Sequence, residues 1–413
     1  MTELRTQPKT VSHTTAGALA PLAAAGFPSR QDPPEYRVST PALLRYGQVA
    51  LLIVGLLLGL VSVPLFITGD RFALQQTAEQ EHADLSSIQT EAAKANELAL
   101  TSLLNGKPDR DGFGTQMGVV AEKVAAAGRS GSVDTGLLGK VNSGLIQYTA
   151  QMNAALTADE ATAGSGTSEA VAAQQTLEDD VLTNLDALLG DAAAGETSPL
   201  WTLVATWVAI GIGAVCALWL MVLVARRSRR VLNLGLIGAL TVLAAGGVTI
   251  GLLSGAVSGP TQATTAHTLT AAQGQLTRVR AAELTYILAP SVERRSSVTA
   301  HLEQARALLA SGADDGAAML TPYEKGWQTV SAEVTGKDTA GAAEAATGTT
   351  GPALVTLTEK TSALVSTDRS AVVATLSAGA PVLTWMGVTM IAVGLGYLIL
   401  GLIGLHARIR EYR

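Results

Sequence analysis

A single cysteine, Cys216, stands in 413 residues, so no disulfide can form within the chain and its domains must be held by packing alone. Charge is scarce, at 15% of residues, and aromatics are scarcer, at 4%. The catalytic signatures are missing too. There is no G-x-x-x-x-G-K-[ST], H-E-x-x-H, C-x-x-C or G-x-S-x-G pattern, and five dispersed histidines give no zinc spacing. The expectation is a protein that is not an enzyme and carries no cofactor and no metal. His82, beside Glu79 and Glu81, is expected on a helix surface.

Charge is absent altogether where apolar residues are densest. Four runs, Val49–Ile67, Leu200–Ala225, Leu234–Val257 and Val382–Leu405, contain 19, 26, 24 and 24 residues and no charged side chain. About 20 apolar residues in a helix cross a bilayer core, and a helix satisfies its own backbone polar groups there. An ion or proton pathway needs ionisable groups within the spans, so their absence argues against transport. The first run follows a polar lead, is too long for a signal-peptide core and lacks a small-x-small cleavage pattern, so it reads as an anchor.

Basic residues set the expected orientation. Arg5, Lys9, Arg30, Arg37 and Arg45 precede the first run; Arg226, Arg227, Arg229 and Arg230 fill the link between the second and third; Arg408, Arg410 and Arg413 follow the fourth. Both termini and the link are therefore expected in the cytoplasm, in a multi-pass protein of the plasma membrane. Trp201 and Trp385 then mark outer ends, and Tyr46 and Trp219 lie nearer inner ends. Segment 69–199 carries 19 acidic and 7 basic residues, a net of -12, whereas segment 258–381 carries 11 and 9. The first of these repels nucleic acid at long range; membrane lipids are the partner that composition implies, and a homodimer stays open.

The chain also repeats itself. A slide of 186 lays Leu234–Leu253 on Gln48–Ile67 and Glu283 on Glu97; a slide of 182 lays Pro381 on Pro199 and Asp368 on Asp186. Helical seams recur: Leu74, Ala78, Glu81, Leu85, Ile88, Ala92, Ala95 and Ala99 form one, and Leu138, Val141, Leu145, Tyr148 and Met152 a second. The second seam's counterpart at +182 is Leu320, Tyr323, Trp327, Val330 and Val334. Such spacing packs helices side by side. With further helices near 115–127, 169–189, 298–309 and 354–376 and breaks at Asn105-Gly106, 128–131, 164–166, Gly312 and 348–351, the expected fold is an all-α membrane protein. Its four transmembrane helices bracket two extracytoplasmic four-helix bundles in tandem, as span–bundle–span used twice.

The expected boundaries are a disordered cytoplasmic arm at 1–47, spans at 48–68, 200–225, 231–257 and 382–405, bundles at 69–199 and 258–381, the Arg link at 226–230 and a tail at 406–413. Pro64 predicts a kink near the outer end of the first span. Gly55 and Gly59, and the stripe Gly247, Gly251, Gly255 and Gly259, have the four-residue spacing that lets membrane helices approach closely. Charged residues near the seams are the candidate partner or ligand contacts: Glu97, Glu283, Asp186, Asp368, Arg278, Arg280, Arg294 and Arg295. An Arg cluster can grip a carboxylate bidentately, although Arg280 with Glu283 one turn on also reads as an internal ion pair.

Span, bundle, span, used twice and followed by a short basic tail after an arm ending Tyr36-Arg37-Val38-Ser39-Thr40-Pro41, resembles the GlnX-like actinobacterial four-span membrane proteins. That resemblance implies an extracytoplasmic amino-acid-binding lipoprotein and a cytoplasmic Ser/Thr kinase as partners. It also implies a relay of aspartate/glutamate availability to the control of nitrogen metabolism. The alternative is a membrane scaffold or assembly protein of the cell envelope without signalling.

Overall fold

The computed structural model describes residues 40–130, 133–192, 199–228, 233–260 and 263–411. Most of the expected arm, together with Arg229, Arg230 and Arg413, lies outside them. Every regular element among the described residues is helical, and four helices are long and apolar enough to cross a membrane. This is an all-helical membrane protein.

Helix α1 (Thr40–Leu60) begins within the stretch expected to be disordered. Pro41 suits a helix's first turn, where its missing N–H has no partner to lose. Only Val61 separates α1 from α2 (Ser62–Leu104), and Val61 is itself in right-handed helical conformation. The interruption falls where Pro64 predicts it, because the proline offers no N–H to the carbonyl of Leu60. The first apolar run and the helix that follows it thus form almost one rod, where separate elements were expected.

Next come α3 (Arg110–Ser130), α4 (Thr135–Ala161) and α5 (Thr167–Thr176), a π turn at Leu177–Leu182, and α6 (Thr183–Ala192). Helices α2, α3, α4 and the α5–α6 rod pack on one another. Their core includes Leu85, Ile88, Ala92, Ala95, Ala99 and the whole predicted seam on α4. The predicted seam on α2 fails at its start. Leu74 is exposed, and the inward stripe runs through Phe72, Glu79 and His82.

The apolar α7 (Leu200–Ser228) and α8 (Leu234–Ser254) follow, the latter ending in a short 3-10 turn. Beyond them lie α9 (Thr264–Leu288), α10 (Val292–Gly312), the single-turn α11 (Gly316–Met319), α12 (Thr321–Thr335) and α13 (Thr339–Ala345). A second π turn, Ala346–Thr350, joins α13 to α14 (Gly351–Glu411). The break expected at 348–351 is therefore no break: the helix tolerates the glycines by widening one turn. From Gly351 onward α14 runs 61 residues without interruption, about 90 Å at the usual rise.

One local contact recurs in both halves of the chain. Gly144 on α4 and Gly326 on α12, 182 residues apart, each receive the π turn that follows in their half. A Cβ on Gly144 would lie 2.9 Å from Val181, and one on Gly326 2.6 Å from Thr350. The second π turn comes earlier in its half than a slide of 182 allows, chiefly because α12, of 15 residues, ends sooner than the 27-residue α4. Asp186 and Asp368 are therefore not equivalent positions.

The four apolar helices close a ring: α1 touches α14 and α7, and α8 touches α14 and α7. Tyr397 on α14 donates to the Gly213 carbonyl on α7 at 3.1 Å. Outward-facing Leu56, Trp207, Val215, Leu252, Leu395 and Ile403 are exposed, a surface suited to lipid.

The glycine contacts depart from the spacing rule. A Cβ on Gly55 would meet Leu398 at 2.9 Å, and one on Gly394 would meet the Gly55 carbonyl at 2.9 Å, so Gly55 and its neighbour Gly59 lie where α1 and α14 cross. Gly247 and Gly251 merely face the Trp207 ring at ordinary distances, and Gly255 has nothing within 4 Å of a Cβ. The tight α8–α14 contacts are instead at Gly235, where a Cβ would collide with the Gly404 backbone, and at Gly246, where one would collide with the Val393 side chain. Four-residue spacing identifies a stripe but not which stripe faces a neighbour. Gly259, past the end of α8, would press on Thr375.

Candidate functional site

Where the two halves meet, α2 lies beside α9 and α14. Successive contacts along the seam pair Glu79 with His267, Gln89 with Gly274 and Glu97 with Arg280, so α2 and α9 run parallel. Each of the two helices follows an apolar helix along the chain, and both head the same way.

At the end nearer the spans, His82 and His267 stack with ring centroids 4.3 Å apart. His267 Nε2 lies 3.1 Å from Glu79 Oε2, and Arg369 of α14 donates from Nη2 to His82 Nδ1 at 3.1 Å. An acceptor at Nδ1 makes His82 a neutral imidazole. Burial, with the charges of His267 and Arg369 beside it, lowers the His82 pKa to about 4. Burial works against ionisation of Glu79, but its hydrogen bond from His267 and the surrounding positive charge hold it below the usual carboxylate range. Desolvation lowers Arg369, opposed by Glu79 and Asp84. The expectation of a surface His82 is wrong: the residue is buried, because a helix face that meets a second rod has no water left to face.

Midway, Arg278 on α9 pairs with Asp186 on α6, which also accepts from Gln89 at 3.3 Å. His301 on α10 reaches Glu178 in the first half's π turn at 3.3 Å, and that hydrogen bond lowers the Glu178 pKa.

At the far end sits a buried polar knot. Arg280 donates from Nε to Glu97 at 2.9 Å and from Nη1 to Glu283 at 2.9 Å. Its Nη1 also reaches the carbonyl of Ala346, which opens the second π turn, at 3.1 Å. Glu283 is fully buried and accepts further from Thr350 at 2.6 Å and Tyr323 at 3.1 Å. Burial pushes the Glu283 carboxyl up despite Arg280 and these donors. Burial opposes the charge on Arg280, yet Glu283 and Glu97 outweigh it and raise the guanidinium.

Of the eight residues singled out in the sequence, five meet here: Glu97, Arg280 and Glu283 in the knot, and Asp186 with Arg278 beside it. Asp368 lies elsewhere, its carboxylate accepting from the Ala266 N–H at 2.8 Å and so capping the start of α9. Arg294 folds back to the Ala289 carbonyl at 2.5 Å, and Arg295 is exposed on α10. Sequence reasoning missed Glu79, His82, His267, Arg369, Glu178, His301, Tyr323 and Thr350. One signal was there to find: His82 and His267 nearly coincide under the slide of 186. No group of three or more His, Cys, Asp or Glu side chains placed to hold a metal occurs among the described residues.

No protein-family model matches the chain, and no curated protein matches it.

Proposed function

We propose that the chain is a transmembrane relay, with two four-helix bundles in tandem on the outer face of the plasma membrane and both termini in the cytoplasm. The observation that carries this reading is the 61-residue helix α14, which begins at the Arg280-held π turn and ends beyond the apolar run. This one helix, which carries Pro381 in its interior, connects the π turn to the end of the apolar run, so a displacement at one end can reach the other. π turns mark places where a helix can shift register, since the extra residue can be absorbed or moved. A partner that prefers one packing of the seam over another shifts the equilibrium by its difference in affinity. Ionic contacts between the halves suit this role, because they re-pair in steps rather than deform smoothly.

On the resemblance given above, the outer partner is an aspartate/glutamate-binding lipoprotein and the inner one a cytoplasmic Ser/Thr kinase. Co-purification from native membranes, read by mass spectrometry, tests the proposal. Recovery of a binding lipoprotein together with a kinase supports the relay. Recovery of envelope-assembly proteins alone replaces it with the scaffold.

A further inference from the structure

At the end of the ring opposite the polar seam, α1 and α14 part to leave a cleft of about 450 Å³ lined by Arg45, Gln48, His406, Ile409 and Arg410. The cleft lies at the edge of the apolar layer. Between Arg45 and Gln48 on α1, Gly47 sits so close to Leu220 and Leu405 that a Cβ would lie 2.9 Å from each. Arg45, His406 and Arg410 are exposed, and none of the three has a side-chain partner among the described residues. Among the described residues, no carboxylate lines the cleft. Four arginines elsewhere, Arg110, Arg278, Arg280 and Arg306, each meet a carboxylate. Basic side chains gathered without a counter-charge repel one another, and a cleft at this depth adjoins the headgroup layer.

We propose that this cleft binds the phosphate of an anionic phospholipid, with Arg45 and Arg410 gripping the phosphate oxygens and Gln48 and His406 hydrogen-bonding the headgroup. Arginine forks match phosphate oxygens in pairs, and an anionic leaflet attracts such residues. The lipid would join the first and last spans, which lie far apart in the chain. The inference rests on the chain's membrane embedding but not on the relay, and it survives if the relay fails.

The test titrates the purified, delipidated full chain with phosphatidylglycerol or phosphatidylcholine and counts bound lipid by native mass spectrometry. The expected result is one tightly retained phosphatidylglycerol and no comparable phosphatidylcholine. Arg45→Gln with Arg410→Gln should weaken retention by about thirtyfold. Lys107→Gln with Lys140→Gln, which removes two exposed charges elsewhere, should leave retention unchanged. An unchanged thermal unfolding temperature in the cleft variant excludes misfolding as the cause. Equal retention of the two lipids, or full retention by the cleft variant, overturns the proposal. Displacement of the lipid by millimolar inorganic phosphate would assign the cleft to free phosphate instead.

Discussion

Acidification should loosen the contact between the two halves, through His82. Its folded pKa is about 4 against an ordinary value of 6.5. Between those values the opened state, in which water reaches the ring, binds a proton that the closed state does not. The closed contact is therefore at full strength above about pH 6.5 and weakens as pH falls toward 4. At pH 5 the difference amounts to about 2 kcal/mol, or about a thirtyfold rise in the opened fraction. Glu79 and Arg369, which also face the ring, do not share this window. Glu79 is held below its ordinary value, so its contribution is lost only at lower pH, and Arg369 stays charged. Hydrogen–deuterium exchange at pH 7.5 and 5.0, corrected for the intrinsic rate, should show the loss of protection in α9 and the facing part of α14. His82→Asn keeps an acceptor for Arg369 Nη2 and removes the titration, so the added exchange at pH 5 should disappear. Equal pH dependence in His82→Asn and the unaltered protein would refute the assignment.

Arg280→Met strands Glu283 in the core, and breaking a buried pair costs about 3–5 kcal/mol. Its thermal unfolding temperature should fall, and adding Glu283→Met should recover most of the loss; a double variant as unstable as the single one would sink this view of the knot. Gly235→Ala places a Cβ against the Gly404 backbone and should destabilise the ring by about 1–3 kcal/mol, whereas Gly255→Ala, facing open space, should be near neutral in the same unfolding assay. In a Cys216→Ser background, Ser165→Cys and Gly348→Cys should label from outside intact cells and Ser228→Cys only after permeabilisation. The reverse pattern would invert the proposed orientation.

Much of this architecture is legible in the sequence because it depends on local pattern. Four uncharged apolar runs predict four long apolar helices, and the seams on α4 and α12 are buried as spaced, since a heptad-like stripe has one face to bury. A slide of 182 also lays Gly326 on Gly144, and each of these glycines packs against a π turn. The sequence does not say which of several glycine stripes meets a neighbour, because helix rotation is set by packing against another helix. Gly246 is in contact and Gly255 is not for that reason alone. Nor does spacing reveal that the two halves lie against each other. That single tertiary contact buries His82 and pairs Arg278 with Asp186 and Arg280 with Glu97. Sequence reasoning could nominate those charges; only the side-by-side packing of α2, α9 and α14 brings them within reach. Charge partners 92 or 183 residues apart are fixed by tertiary contact, which no local periodicity encodes.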